Sequence, residues 1–241
     1  MASNMYSHSV CQWNPFVGCN FNCVYCKNSF QAQLKRWAKK NCQKCYNFKP
    51  HEHPERLEQP LPGTGYMQFI FTCSMGDISF CSTEYLEKIV DRIRREKDKT
   101  FLVQSKNPRT FGRVSWPNNV ILGTTIETNI EGCPTVWPER PAKKYILISE
   151  APMRCIRWAN FMQIKHPLKM VTVEPVLNFG DNLLEWIKDL NPCMVWLGYD
   201  SKNNNLPEPP IEKVKELHWQ LSKMGIVVML KKIREYPDGK A

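Results

Sequence analysis

Short apolar strands recur along this chain, and helices follow them. Tyr66–Cys73 is aromatic and β-branched, and the spacing of Leu86, Ile89, Val90 and Ile93 then predicts a helix over Ser82–Lys97. Ser82 offers a capping hydroxyl and Glu84 an early acid where that helix should begin. Further strands are expected at Phe101–Gln104, Val120–Thr125, Tyr145–Ser149, Met170–Glu174, Met194–Gly198 and Ile226–Leu230. Helices are expected at Arg154–Ile164, Leu183–Leu190 and Ile211–Met224. Alternation of this kind implies βαβ units, because parallel strands need a crossover and a helix supplies it. The chain is therefore read as α/β with a parallel sheet, open or closed into a barrel. In such folds the chemistry gathers where the strands end at their carboxyl side.

One stretch breaks the alternation. Residues 41–65 are rich in Pro, Cys and His and read as a small Cys/His-rich insertion within a single domain spanning residues 1–241. A chain of 241 residues can build one sizeable core, and 42% hydrophobic with 23% charged residues is ordinary globular composition. The amino terminus shows no basic start followed by an apolar run, so no signal peptide is expected. The longest apolar run, Ile226–Leu230, falls far short of the roughly 20 residues that span a bilayer. These features point to a cytoplasmic protein with no membrane partner. Lys and Arg exceed Asp and Glu by 33 − 23 = 10, which makes nucleic acid a natural partner. Trp37, Trp116, Trp137 and Trp158 are candidates for base stacking, and the basic run Arg92–Lys99 reads as the solvated face of a helix.

The cytoplasmic placement governs the eleven cysteines. Thiols stay reduced there, so clustered cysteines indicate metal or redox chemistry rather than disulfides. Cys155 and Cys193 are read as inert core residues. Cys19, Cys23 and Cys26 stand four and three residues apart, close enough to converge from one loop on a single cluster. Three ligands leave one iron of a cubane without a protein partner. A zinc site completed by Cys11 is the competing reading.

Cys-x3-Cys-x2-Cys with an aromatic residue, Tyr25, just before the last cysteine resembles the signature of the radical SAM superfamily. Trp13-Asn14-Pro15, His53-Pro54-Glu55-Arg56-Leu57, Ser74-Met75-Gly76-Asp77, Ser105-Lys106-Asn107-Pro108 and Val173-Glu174-Pro175 are more specifically similar to a phage- and archaea-associated branch without an assigned substrate. The resemblance implies a partial (β/α) barrel of the radical SAM type. It also implies a [4Fe–4S] cluster on the three cysteines, S-adenosylmethionine on the open iron, and an electron donor such as flavodoxin or ferredoxin. By the same resemblance Tyr25 packs near the adenine, and Met75, Gly76 and Asp77 meet the amino group. Ser105, Thr125 and Glu127 face the ribose, Lys106 pairs with the carboxylate, and Glu174 points into the site.

Cys42, Cys45, His51 and His53 form a second group of soft ligands. A tetrahedral zinc clip would order an insertion lacking its own core, although the histidine spacing is tighter than usual. Three alternatives stay open: a second Fe–S cluster shared with Cys73 or Cys81, a redox pair at Cys42 and Cys45, or histidines lining a substrate entrance. The expected function is an enzyme that cleaves S-adenosylmethionine reductively and takes hydrogen from an unidentified substrate, nucleic acid or a nucleotide among the candidates. The alternative is a non-enzymatic, zinc-containing nucleic-acid-binding module. No residue is singled out as catalytic.

Overall fold

The structure, a computed structural model, describes residues 6–38, 41–130, 149–202, 204–231 and 233. Its strands are β1 (Ser9–Trp13), β2 (Phe16–Val17), β3 (His51–Glu52), β4 (Phe69–Thr72), β5 (Phe101–Gln104), β6 (Val120–Thr125), β7 (Lys169–Val173), β8 (Met194–Leu197) and β9 (Val227–Leu230). Its helices are α1 (Val24–Cys26), α2 (Ala32–Ala38), α3 (Gln43–Tyr46), α4 (Thr83–Arg95), α5 (Arg154–Met162), α6 (Leu183–Leu190) and α7 (Ile211–Lys223). Seven strands pair in parallel in the order β1-β4-β5-β6-β7-β8-β9, and β2 and β3 form a separate antiparallel ribbon. Because sequence order and spatial order coincide, the sheet winds one way and curls into a half-barrel. The α/β expectation holds at that level.

Strand side chains alternate between two faces, and this sorts the residues into two cores. Ile70, Val103, Leu122, Val171 and Val195 point outward and join Leu86, Ile89 and Ile93 of α4, Leu183 and Ile187 of α6, and Val214 and Leu217 of α7. Phe69, Phe71, Leu102, Ile121, Met170, Met194 and Trp196 point inward around Tyr6 and plug the concave side. Strands buried on both faces lose the polar alternation of a half-exposed sheet, which is why their sequences read as unbroken apolar runs. Each such side chain contributes about 1.5–3 kcal/mol by burial.

Above the plug the inward residues turn polar. The Tyr6 hydroxyl donates to Gln104 Oε1 at 2.6 Å and lies 3.0 Å from Thr172 Oγ1, and Gln104 Nε2 donates to Thr125 Oγ1 at 2.8 Å. This layer floors whatever sits at the carboxyl ends of the strands.

The insertion is ordered by short local pieces: α3, β3 and a single 3-10 turn over Pro54–Arg56. It is pinned to the start of the barrel by Trp13 Nε1 donating to Arg56 O (2.8 Å), by Arg56 Nη1 donating to Asn14 O (3.0 Å), and by His53 N donating to Pro15 O (2.7 Å). Arg92 corrects the reading of its basic run as a solvated face. It is buried, and its Nε donates to Leu57 O at 2.9 Å, tying α4 to the end of the insertion. Cys193 is exposed rather than a core residue, and Cys155 is half-buried. The strand expected at Tyr145–Ser149 falls mostly outside the described residues. Among the described residues no helix is long and apolar enough to cross a membrane.

Candidate functional site

The carboxyl ends of the strands open onto a cavity of about 430 Å³. Cys19, Cys23 and Cys26 line it from the loop after β2, with Gly76 and Asp77 after β4, Ser105 and Lys106 after β5, Thr125 at the end of β6, and Glu174 after β7. The structure thus brings together most of the residues that the strand ends single out.

The three-cysteine loop is fixed by backbone contact. Gly18 bridges Gly76 in parallel fashion, with Gly18 N donating to Met75 O at 3.0 Å and Asp77 N donating to Gly18 O at 3.1 Å. A Cβ on Gly76 would lie 2.8 Å from both Gly18 N and Gly18 O, so the glycine admits another strand of backbone. Gly18 itself holds φ +98°, and a Cβ there would lie 2.2 Å from Lys49 O. Met75 packs with Val17, Leu34 and Cys45 and is absent from the lining of the cavity.

The thiols influence one another. The Cys26 thiol hydrogen-bonds Cys23 and lowers its pKa, helped by the Lys106 ammonium 3.5 Å away and by Ser149 Oγ at 3.1 Å. The same pairing with Cys23, together with burial, raises Cys26. Burial, reinforced by the nearby Asp77 carboxylate, pushes Cys19 up to about 12. Cys11 packs against the convex core instead of lining the cavity, so it does not complete a zinc site with the trio.

Glu127 sits behind the cysteines with no solvent exposure. Tyr25 Oη donates to its Oε1 at 2.6 Å, Lys106 Nζ lies 2.8 Å from the same oxygen, and Arg157 Nη1 and Arg154 Nε lie 2.9 and 3.5 Å from Oε2. Burial alone would raise this carboxyl, but Arg157, Lys106 and Arg154 together outweigh it and hold it well below the usual carboxylate range. Three cations on one carboxylate leave two positive charges in excess beside the thiols. The Lys106 ammonium also lies over the Tyr25 ring, 4.3 Å from its centroid.

Asp77 is engaged on both oxygens. Oδ1 accepts from Ser79 N, Ser79 Oγ and Ser105 Oγ (3.0, 2.8 and 2.6 Å), and Oδ2 accepts from Lys106 N at 2.8 Å. Burial nonetheless raises its pKa. Glu174 is also raised by burial, and it pairs with Lys231 at 2.6 Å. Arg154, Arg157 and Lys231 escape the sequence reading. Arg157 could be found there, because it shares the inward face of α5 with Phe161, four residues on.

Beside this site Cys42, Cys45, His51 and His53 offer four ligand atoms within 4.8 Å of one another. Among the described residues this is the one group of three or more His, Cys, Asp or Glu that converges in that way. Cys42 Sγ lies 3.4 Å and Cys45 Sγ 3.3 Å from His51 Nε2, and Cys45 Sγ lies 3.1 Å from His53 Nε2. Each histidine's outer nitrogen is held, Nδ1 of His51 by Lys49 O and Nδ1 of His53 by Glu55 Oε1, both at 2.7 Å. The tight histidine spacing has a plain cause. His51 lies on β3 and His53 just beyond it, so residues two apart share a face, whereas the usual wider spacing belongs to helices. Cys73 and Cys81 are buried in the convex core and do not belong to this group. Trp116 and Trp158 correct the stacking expectation. Trp116 Nε1 donates to Phe111 O, and Trp158 stacks on Trp186, both against the convex core. The side chain of Trp37 and all of Trp137 lie outside the described residues.

The fold and site define an α/β half-barrel with a thiol-lined cavity at the carboxyl ends of its strands. The chain belongs to the family described as "Protein of unknown function (DUF5131)", which matches residues 5–184. That match corrects the expected kinship with the radical SAM superfamily and its phage- and archaea-associated branch, because no family of that superfamily matches. No curated protein and no solved structure matches the chain.

Proposed function

We propose that this chain is an enzyme that holds a [4Fe–4S] cluster on Cys19, Cys23 and Cys26 and cleaves S-adenosylmethionine reductively to take hydrogen from a substrate. The supporting observation is that one loop delivers three thiols to a 430 Å³ cavity at the carboxyl ends of a parallel half-barrel. A volume of that order suits a ligand of cofactor size. Three thiols without a fourth protein ligand suit a cluster that keeps one iron open, and Cys11 packs elsewhere. Adjoining buried thiols also resist joint ionisation, as the opposed shifts of Cys23 and Cys26 show, and a cationic iron core removes that cost.

When bound, such a cluster supplies one electron at a time and, with three protein ligands, an iron free for a small molecule. The chain's own residues do the positioning. Asp77 braces the Ser105-Lys106 turn, and Glu127 fixes the Tyr25 hydroxyl and the Lys106 ammonium. The two excess positive charges around Glu127 favour an anionic cluster and a ligand carboxylate. The plug around Tyr6 closes the cavity floor to water. The proposed substrate class is nucleic acid or a nucleotide, supported by the net charge of +10 and by Arg36 and Lys202 at the cavity. The proposed setting is cytoplasmic, with a flavodoxin- or ferredoxin-type electron donor.

Anaerobic reconstitution followed by iron and sulfide analysis tests the cluster. About four irons and four sulfides per chain are expected, falling to background in Cys23→Ala. Undiminished iron in that variant, or wild-type protein that takes up none, overturns the reading.

A further inference from the structure

We infer that Cys42, Cys45, His51 and His53 form a structural zinc site that holds the backbone presenting Cys19, so that the zinc clip must form before the three-cysteine site can. The first half rests on the clip alone. The second half rests also on the function proposed for Cys19, Cys23 and Cys26.

The ligand set suits zinc: two thiolates and two imidazoles make a closed tetrahedron with no position left for substrate. Metal–sulfur and metal–nitrogen lengths of about 2.3 and 2.05 Å put sulfur and nitrogen about 3.6 Å apart on such an ion. Three of the four S···N distances here are 3.1, 3.3 and 3.4 Å and all four ligand atoms lie within 4.8 Å, so a small adjustment of side chains accommodates it. The outer contacts are those of a metal site as well. Lys49 O and the Glu55 carboxylate each fix one imidazole so that its Nε2 faces inward. The segment has little apolar core of its own: Cys45 belongs to a small cluster with Val17 and Leu34. A metal supplies the folding energy that such a segment lacks.

The clip's backbone is also what Cys19 leans on. Cys19 N donates to Phe48 O at 3.3 Å, Gly18 packs against Lys49, Val17 pairs with His51 across the ribbon, and His53 N donates to Pro15 O. With Phe16 paired to Glu52, all five residues from Pro15 to Cys19 are therefore held by residues 48–53, which carry or join the zinc ligands. Among the described residues no clip ligand hydrogen-bonds a side chain of Cys19, Cys23 or Cys26, so the clip can close without the cluster.

Elemental analysis of the full chain tests both halves. Wild type and the triple variant Cys19→Ala/Cys23→Ala/Cys26→Ala should each keep about one zinc per chain, and Cys42→Ala/Cys45→Ala should lose it. On anaerobic reconstitution the zinc-free double variant should take up less than a tenth of the wild-type iron. Glu55→Gln leaves all four ligands in place and guards against simple misfolding; chelator competition should show zinc held 10–100-fold more weakly. A triple variant without stoichiometric zinc, or zinc unchanged by the Cys42/Cys45 substitutions or by Glu55→Gln, overturns the zinc site. Full iron uptake by the zinc-free double variant overturns the ordering. If wild type takes up no iron, the proposed function falls and the ordering with it, while a stoichiometric zinc would still establish the clip.

Discussion

At the scale of single residues, Glu127 has no solvent exposure, yet Lys106, Arg154, Arg157 and the Tyr25 hydroxyl all converge on it. Removing its charge leaves three cations facing one another in a buried place. Glu127→Gln should therefore cost about 3–5 kcal/mol in urea unfolding at neutral pH. The pH dependence has a definite sign. A carboxyl whose folded pKa is depressed stabilises the fold above its unfolded value, near 4.3, and loses that contribution as pH falls toward the folded value. The gap between wild type and Glu127→Gln should accordingly be widest above about pH 5 and narrow progressively below pH 4. Tyr25→Phe removes only the 2.6 Å hydrogen bond to that carboxylate and should cost about 1.5–3 kcal/mol, with the ion pairs intact. A Glu127→Gln protein as stable as wild type would show that the cluster of charges is not coupled to folding.

At the scale of elements, the three-cysteine loop depends on two glycines that let backbones touch. Gly18→Ala adds a Cβ 2.2 Å from Lys49 O at a positive φ, and Gly76→Ala adds one 2.8 Å from the Gly18 backbone. Both should lower iron uptake at least tenfold while α4 and the sheet persist by circular dichroism. Ser82→Ala provides the contrast. Its hydroxyl accepts from Tyr85 N at 3.1 Å, and losing that cap should cost about 1 kcal/mol without changing iron content. The strands β4 to β8 and the helices between them were legible as sequence because a strand covered on both faces is an apolar run, and because Ser82 and the spacing of α4 mark its start; β9, partly exposed at the sheet edge, was legible by its apolar composition alone. β1 was not legible. Ser9–Trp13 mixes Ser, Cys and Gln, since it is an edge strand whose middle residues are only half-buried, with Gln12 lining the cavity. The trio and the Cys-x2-Cys hook announce themselves by spacing. Arg154 and Glu55 do not, because the partner is distant in sequence or the pairing exists only once a strand has turned two histidines one way.

At the scale of the whole molecule, the half-barrel gathers into one cavity residues drawn from the carboxyl ends of successive strands, over a floor that excludes water. Helices α4 to α7 and the stacked Trp158 and Trp186 occupy the convex side, while α1 and α2 border the cavity. The loop that brings three thiols to the mouth is seated on a second, closed ligand set, so the chain has the parts of one reactive centre and one brace. The proposed activity is one-electron reductive cleavage of S-adenosylmethionine at Cys19, Cys23 and Cys26. It is tested by quantifying 5′-deoxyadenosine after anaerobic incubation of the reconstituted, chemically reduced chain with S-adenosylmethionine. Product is expected from wild type and none above background from Cys23→Ala; equal product from both, or none from an iron-loaded wild type, would overturn the proposed activity.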